Sequence, residues 1–142
     1  MIITFCGHSS VSDADEVRQW LRTVLDRFLL EDEVIFYLGG YGAFDRLATS
    51  VVREKKKINP KIQSVLVIPY LNRSFDDADF DYTIFPPLET VPPRYAISKR
   101  NTWMVDQADI VIAYVTHDWG GAAKMLNNAQ VKKKPILLYP QY

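Results

Sequence analysis

Cysteine is almost absent from this chain. Cys6 stands alone inside the first apolar run, which excludes a disulfide framework and leads us to expect a reducing compartment and a small core residue at that position. Histidine is nearly as scarce. His8 and His117, with the single cysteine, fall at spacings that match no zinc pattern. The acidic run DDADFD at 76–81 lacks the glycine and the closing glutamate of an EF-hand loop. Neither a metal nor a cofactor is expected. An excess charge of either sign is also missing. Lys plus Arg and Asp plus Glu both number 17, so the overall balance gives no reason to expect nucleic acid or an anionic membrane surface as partner. No uninterrupted apolar segment approaches bilayer length, and the N-terminal MIITFCGHSS is too short and too poor in basic residues for a signal peptide. The expectation is a cytoplasmic protein with no membrane partner, folded as one domain over 1–142.

What is present is an alternation. Short, β-branched, apolar runs occur at 2–6, 34–38, 64–68, 110–115 and 135–139, with a further short candidate at 82–85. Their hydrophobicity is continuous, as in strands covered on both faces. Between them the period becomes helical. Val17, Trp20, Leu21, Val24, Phe28 and Leu29 mark one face of a first helix, with Asp13 and Glu16 spaced as a capping box. Phe44, Leu47, Ala48, Val51 and Val52 mark a second, closed by Lys55, Lys56 and Lys57 as a solvated C-terminal end. A third helix is expected from Pro93 to about Gln107, and a fourth over 122–131. Strand and helix in alternation predict an α/β fold: a Rossmann-like, doubly wound, mainly parallel sheet flanked by helices. Residues 72–93, acidic, aromatic and proline-rich, read as a long loop near the ligand edge that serves as a lid or as packing.

Glycine is scarce too, and its placement is informative. In the segment 33–45, EVIFYLGGYGAFD, an apolar run ends in Gly39 and Gly40 and a helix begins just beyond. Such a junction lets a ligand approach the backbone and offers it free N–H groups at the positive end of the helix dipole, although a plain corner has the same sequence. The same arrangement recurs at Gly120 and Gly121 after the run at 110–115. Two junctions in so short a chain predict that both ends of a nucleotide-like ligand are gripped beyond the C-terminal edge of the sheet.

The polar residues at these junctions complete the candidate site. Gly7, His8, Ser9 and Ser10 follow the first strand, with His8 read as a ligand contact. Asp45 is placed to accept from ribose hydroxyls or from the backbone of its own loop, and Tyr41 to stack on a base or sugar. On the third helix Arg100 is a candidate for bidentate phosphate binding, while Asn101 shares a face with Ile97, Met104 and Ala108 and so points inward. His117 and Asp118 are candidate acid–base partners.

Taken together these motifs resemble the SLOG superfamily of Rossmann-like domains, which includes the LOG cytokinin-activating hydrolases and the DNA-processing protein DprA. Gly7-His8 is similar to that family's first glycine turn, and Gly39-Gly40 through Asp45 to its glycine pair and Gly-x-Asp pattern, with Ala43 for the last glycine. Arg100-Asn101-Thr102-Trp103-Met104 resembles the Arg-Lys-x-x-Met helix of LOG enzymes, and Gly120-Gly121 the start of their Gly-Gly-x-Gly-Thr-x-x-Glu motif. The resemblance implies a nucleotide-derived ligand, with Arg100 on phosphate and Asp45 on ribose, and a homo-oligomer. Ala123 and Lys124 replace the Gly-Thr pair, and Asn127 stands where those hydrolases use a glutamate. An amide cannot act as that acid or base. Binding as a sensor or adaptor is therefore the expectation. The alternatives are an N-glycosidase or deoxyribosyltransferase-like enzyme using Asp45 or Asp118, and an interaction module whose glycine turns are structural.

Overall fold

The computed structural model describes residues 1–140. Six strands form one sheet: β1 (Ile2–Gly7), β2 (Ile35–Leu38), β3 (Gln63–Val67), β4 (Tyr82–Ile84), β5 (Ile110–Tyr114) and β6 (Ile136–Leu138). Their order is β4-β3-β2-β1-β5-β6, and every neighbouring pair is parallel. This is an α/β, Rossmann-like architecture, as the continuous apolar runs predicted. Each central strand must be apolar on both sides because helices cover both faces.

The two faces are built from alternate residues. Ile3, Phe5, Phe36, Leu38, Ile112 and Tyr114 point toward α1 (Ala14–Asp26) and α2 (Gly42–Ile58). Cys6, Tyr37, Val65, Val67, Val111 and Ala113 point toward α3 (Ala96–Gln107) and α4 (Gly121–Val131). α1 buries Val17, Leu21, Val24 and Leu25, the stripe its 3.6-residue period calls for.

Several local expectations change. The Asp13 side chain makes no capping bond, and the first turn of α1 relies on Asp15 and Glu16 beside the helix dipole. α1 ends at Asp26, so the buried Phe28 packs from a turn and not from the helix. The lysines closing α2 are not simply solvated. Lys55 is buried and its Nζ donates to Asp26 Oδ1 at 2.5 Å, tying α2 to α1, and Lys56 pairs with Asp81. The segment 72–93 contains β4 and supplies an edge strand in place of a lid. Asp81 holds that edge by accepting from the Ser64 N–H at 2.8 Å.

Candidate functional site

The chain leaves β1 for α1 on one face of the sheet and leaves β5 for α4 on the other. Adjacent parallel strands whose connections diverge open a crevice at their C-terminal ends. A cavity of about 630 Å3 lies there. Its walls are the loop after β1, the start of α2, one face of α3, and the loop leading from β5 into α4.

Of the residues selected from sequence, Gly7, His8, Ser9, Tyr41, Asp45, Arg100, Asn101, His117, Gly120 and Gly121 all line this cavity. Gly39 and Gly40 do not. A Cβ on Gly39 would lie 3.1 Å from both Arg100 Nη2 and Asp45 Oδ2, and one on Gly40, at φ +75°, would strike Leu66 at 2.7 Å. These two glycines make room for side chains behind the wall. Asp118 also lies outside the cavity, and Asn127 is an exposed residue of α4 that does not line it.

The start of α2 is closed. Ala43 N–H donates to Ser9 O at 2.9 Å, Phe44 N–H to His8 O at 3.4 Å, and Tyr41 N–H to Asp45 Oδ2 at 3.2 Å. Gly42, at φ +83°, permits this closure, because a Cβ there would lie 2.7 Å from Ser9 Cα. The free amides expected after Gly39 and Gly40 are thus taken by the β1 loop. The start of α4 differs. Its first internal bond runs from Lys124 N–H to Gly120 O, and the amides of Gly121, Ala122 and Ala123 have no partner among the described residues. A Cβ added to Gly121 would meet nothing within 4 Å.

Arg100 is only 2% exposed. Its Nη1 donates to Gly39 O at 2.9 Å and Val67 O at 2.8 Å, and its Nε to Asn101 Oδ1 at 3.0 Å. The guanidinium therefore pins α3 to the ends of β2 and β3. Nη2 alone makes no bond within the described residues, so a bidentate phosphate clamp gives way to a single free donor group. Burial pulls the Arg100 pKa down, against the charge of Asp45. Asp45 is partly buried, and burial pushes its carboxyl up to about 6 despite the Arg100 charge and the Tyr41 amide. That places it where a group can both give and take a proton near neutral pH.

His8 is held as an acceptor: its Nε2 takes the Thr116 N–H at 2.8 Å, which puts the neutral ring's proton on Nδ1. Burial, then the neighbouring His117, lowers its pKa. His117 stacks on His8, centroids 3.7 Å apart, and buries its Nδ1 without a partner among the described residues. Cys6 is no nucleophile. Burial pushes its thiol up to about 12, and its Sγ donates to Ala122 O at 3.1 Å. Among the described residues no group of three or more His, Cys, Asp or Glu is placed to hold a metal ion. Sequence reasoning missed Trp119, Ser12 and Thr116, which also line the cavity. The signal for Ser12 was its place two residues after Ser10, across Val11, in the same loop after β1.

No family model and no curated protein matches the sequence. Solved structures do match the fold. The X-ray structure of TM1055 aligns over 95% of this chain and 71% of its own, with TM-score 0.65 and 16% identity. DNA processing protein A from Helicobacter pylori, described for its single-stranded DNA binding mode, aligns over 100% of this chain at TM-score 0.67 and 16% identity, and the match spans 66% of that protein. The molybdenum cofactor carrier protein from Chlamydomonas reinhardtii aligns over 96% of this chain and 75% of its own, with TM-score 0.64 and 15% identity. A DNA-binding protein among these neighbours means that the fold does not exclude nucleic acid, whatever the balanced charge suggests. No helix among the described residues is long and apolar enough to cross a membrane. At these identities the likeness is one of architecture, and the chain shares the Rossmann-like fold of these proteins.

Proposed function

We propose that this chain binds a nucleotide or nucleotide-derived ligand in the cavity between the β1 and β5 loops, as a sensor or adaptor. The observation that carries the reading is the open start of α4 in the same cavity that Asp45 and Arg100 line, with Nη2 of Arg100 left without a partner among the described residues. Unpaired helix amides favour an anion, a carboxylate accepts from vicinal hydroxyls, and a single guanidinium nitrogen supplies a further donor. Gly121 argues against the purely structural interpretation of the glycine turns. Gly7, Gly39, Gly40 and Gly42 each have a protein neighbour that a side chain would crowd, whereas at Gly121 only a ligand would need the space.

A thermal shift series with nucleoside mono- and diphosphates tests this, since a ligand at 100 times its Kd raises stability by about 2.7 kcal/mol. Gly121→Ala is expected to leave the unliganded melting temperature unchanged or slightly higher and to weaken binding roughly tenfold, the loss of about one good contact. The absence of a shift with every nucleotide would refute the proposal.

One observation favours a second reading, an N-glycosidase or deoxyribosyltransferase-like enzyme. Asp45, with its carboxyl near 6, is the cavity's one acid–base candidate among the carboxylates selected from sequence. Release of free base from nucleoside monophosphates, abolished in Asp45→Asn, is the expected signature.

A further inference from the structure

The most exposed aromatic side chain at the cavity has no role in the ligand contacts described so far. Trp119 is 69% exposed and yet lines the cavity. It is not loosely placed. One indole face stacks on His117, centroids 3.8 Å apart and planes 19° from parallel. His117 in turn stacks on His8 at 3.7 Å and 13°, and Tyr114 meets His8 edge-on at 5.8 Å. The bond from Thr116 N–H to His8 Nε2 fixes the inner ring. Trp119 is the outer end of a three-ring column rooted in the protein, and among the described residues no ring or cation other than His117 packs against it.

An indole held flat at the rim of a cavity, with one face backed by an aromatic ring and the other without a ring or cation against it among the described residues, is suited to a planar ring of a ligand. Tyr41, the other exposed ring here, is less free. The Arg100 guanidinium lies 5.5 Å over it and Phe75 meets it edge-on at 6.4 Å.

We infer that Trp119 is a base-stacking platform, and that the ligand is a nucleotide whose base, a purine in preference to a pyrimidine, lies on the outer indole face. The inference rests on the nucleotide-binding proposal and deepens it. Two fused rings cover an indole more fully than one, so purines gain more from the contact. His117 is a positioning residue: it fixes the plane of Trp119 and does not itself touch the base.

Calorimetric titration of the full chain with AMP, CMP and ribose 5-phosphate is the test, using wild type, Trp119→Ala, Trp119→Phe and Tyr41→Ala. The expected wild-type order is AMP, then CMP, then ribose 5-phosphate. Trp119→Ala should weaken AMP roughly tenfold or more and leave ribose 5-phosphate unchanged, with Trp119→Phe between. AMP should also quench tryptophan fluorescence in wild type, and the quench should be lost in Trp119→Phe although Trp20 and Trp103 remain. Equal affinity for AMP and ribose 5-phosphate in wild type would overturn the platform and leave the site standing. Equal losses for both ligands in Trp119→Ala would overturn it as well, since that is the mark of a structural residue, as would a loss of AMP preference in Tyr41→Ala but not in Trp119→Ala. If wild type binds none of the three, the nucleotide-binding proposal falls and the platform with it.

Discussion

Replacing Asp45 by asparagine should make the protein more stable at neutral pH, and the effect should depend on pH in a defined way. The carboxyl is raised from 3.8 to about 6 because burial disfavours its charged form more than Arg100 and the Tyr41 amide favour it. At 1.36 kcal/mol per pKa unit, holding the ionised carboxylate in the fold costs about 3 kcal/mol. Asparagine removes that charge, and its side-chain oxygen can still accept the Tyr41 N–H. The sign follows from proton counts. Between about pH 4 and pH 6 the unfolded chain has released the Asp45 proton while the folded chain still holds it, so wild-type stability from this group falls as pH rises. Below that window both states are protonated and the two proteins should melt together. Above it the gap should level off at about 3 kcal/mol, roughly 10 °C in melting temperature for a chain of this size. Melting curves of both proteins across the window measure the gap directly. A difference that is independent of pH, or an Asp45→Asn variant less stable than wild type at neutral pH, would refute the assignment of burial as the dominant cause. Gained stability with lost ligand binding would mark Asp45 as a residue kept for function.

Two further perturbations probe the frame around the site. In Gly7→Ala the new methyl would sit 2.1 Å from Cδ2 of the fully buried Phe44, and moving that ring means moving α2, so a loss of about 3 kcal/mol in urea unfolding is expected; a loss below about 1 kcal/mol would show that the β1–α2 contact is looser than described. His8 should titrate below 6.5 in a nitrogen NMR series, with its neutral ring protonated on Nδ1, because burial opposes the charge and Nε2 is occupied as an acceptor. Its contribution to stability is lost as pH falls, opposite in sign to that of Asp45, and His8→Phe should remove it. A midpoint above 6.5, or a proton found on Nε2, would contradict the bond to Thr116.

The order of strands and helices was legible because it is written in local periodicity. Ile35, Phe36, Tyr37 and Leu38, or Val111 and Ile112, are contiguous apolar residues of the kind that strands covered on both faces require. The site was legible in outline, since a parallel sheet brings the loops after β1 and β5 together wherever the connections diverge. What local pattern could not convey was which polar groups the protein itself consumes. The amides after Gly42 look free in sequence and are taken by carbonyls of His8 and Ser9, more than thirty residues earlier. Arg100 reads as a bidentate phosphate ligand, yet its partners are the carbonyls of Gly39 and Val67, groups present in every residue and therefore silent in sequence. Lys55 was hidden for the same reason, as its partner Asp26 lies on another helix. Trp119 was passed over because its order comes from a ring on a distant loop, His8, through His117.

The anchoring of Arg100 has a thermodynamic consequence for whatever enters the cavity. An arginine on a surface carries about 2 kcal/mol of rotamer entropy that must be given up when it first grips a ligand. Here three hydrogen bonds, to Gly39 just beyond β2, to Val67 of β3 and to Asn101, have already removed that freedom on folding. A hydrogen bond from Nη2 would then be formed by a group that has almost nothing left to lose. One donor fixed in this way can rival two on a flexible chain, and it selects sharply for an acceptor at a single position.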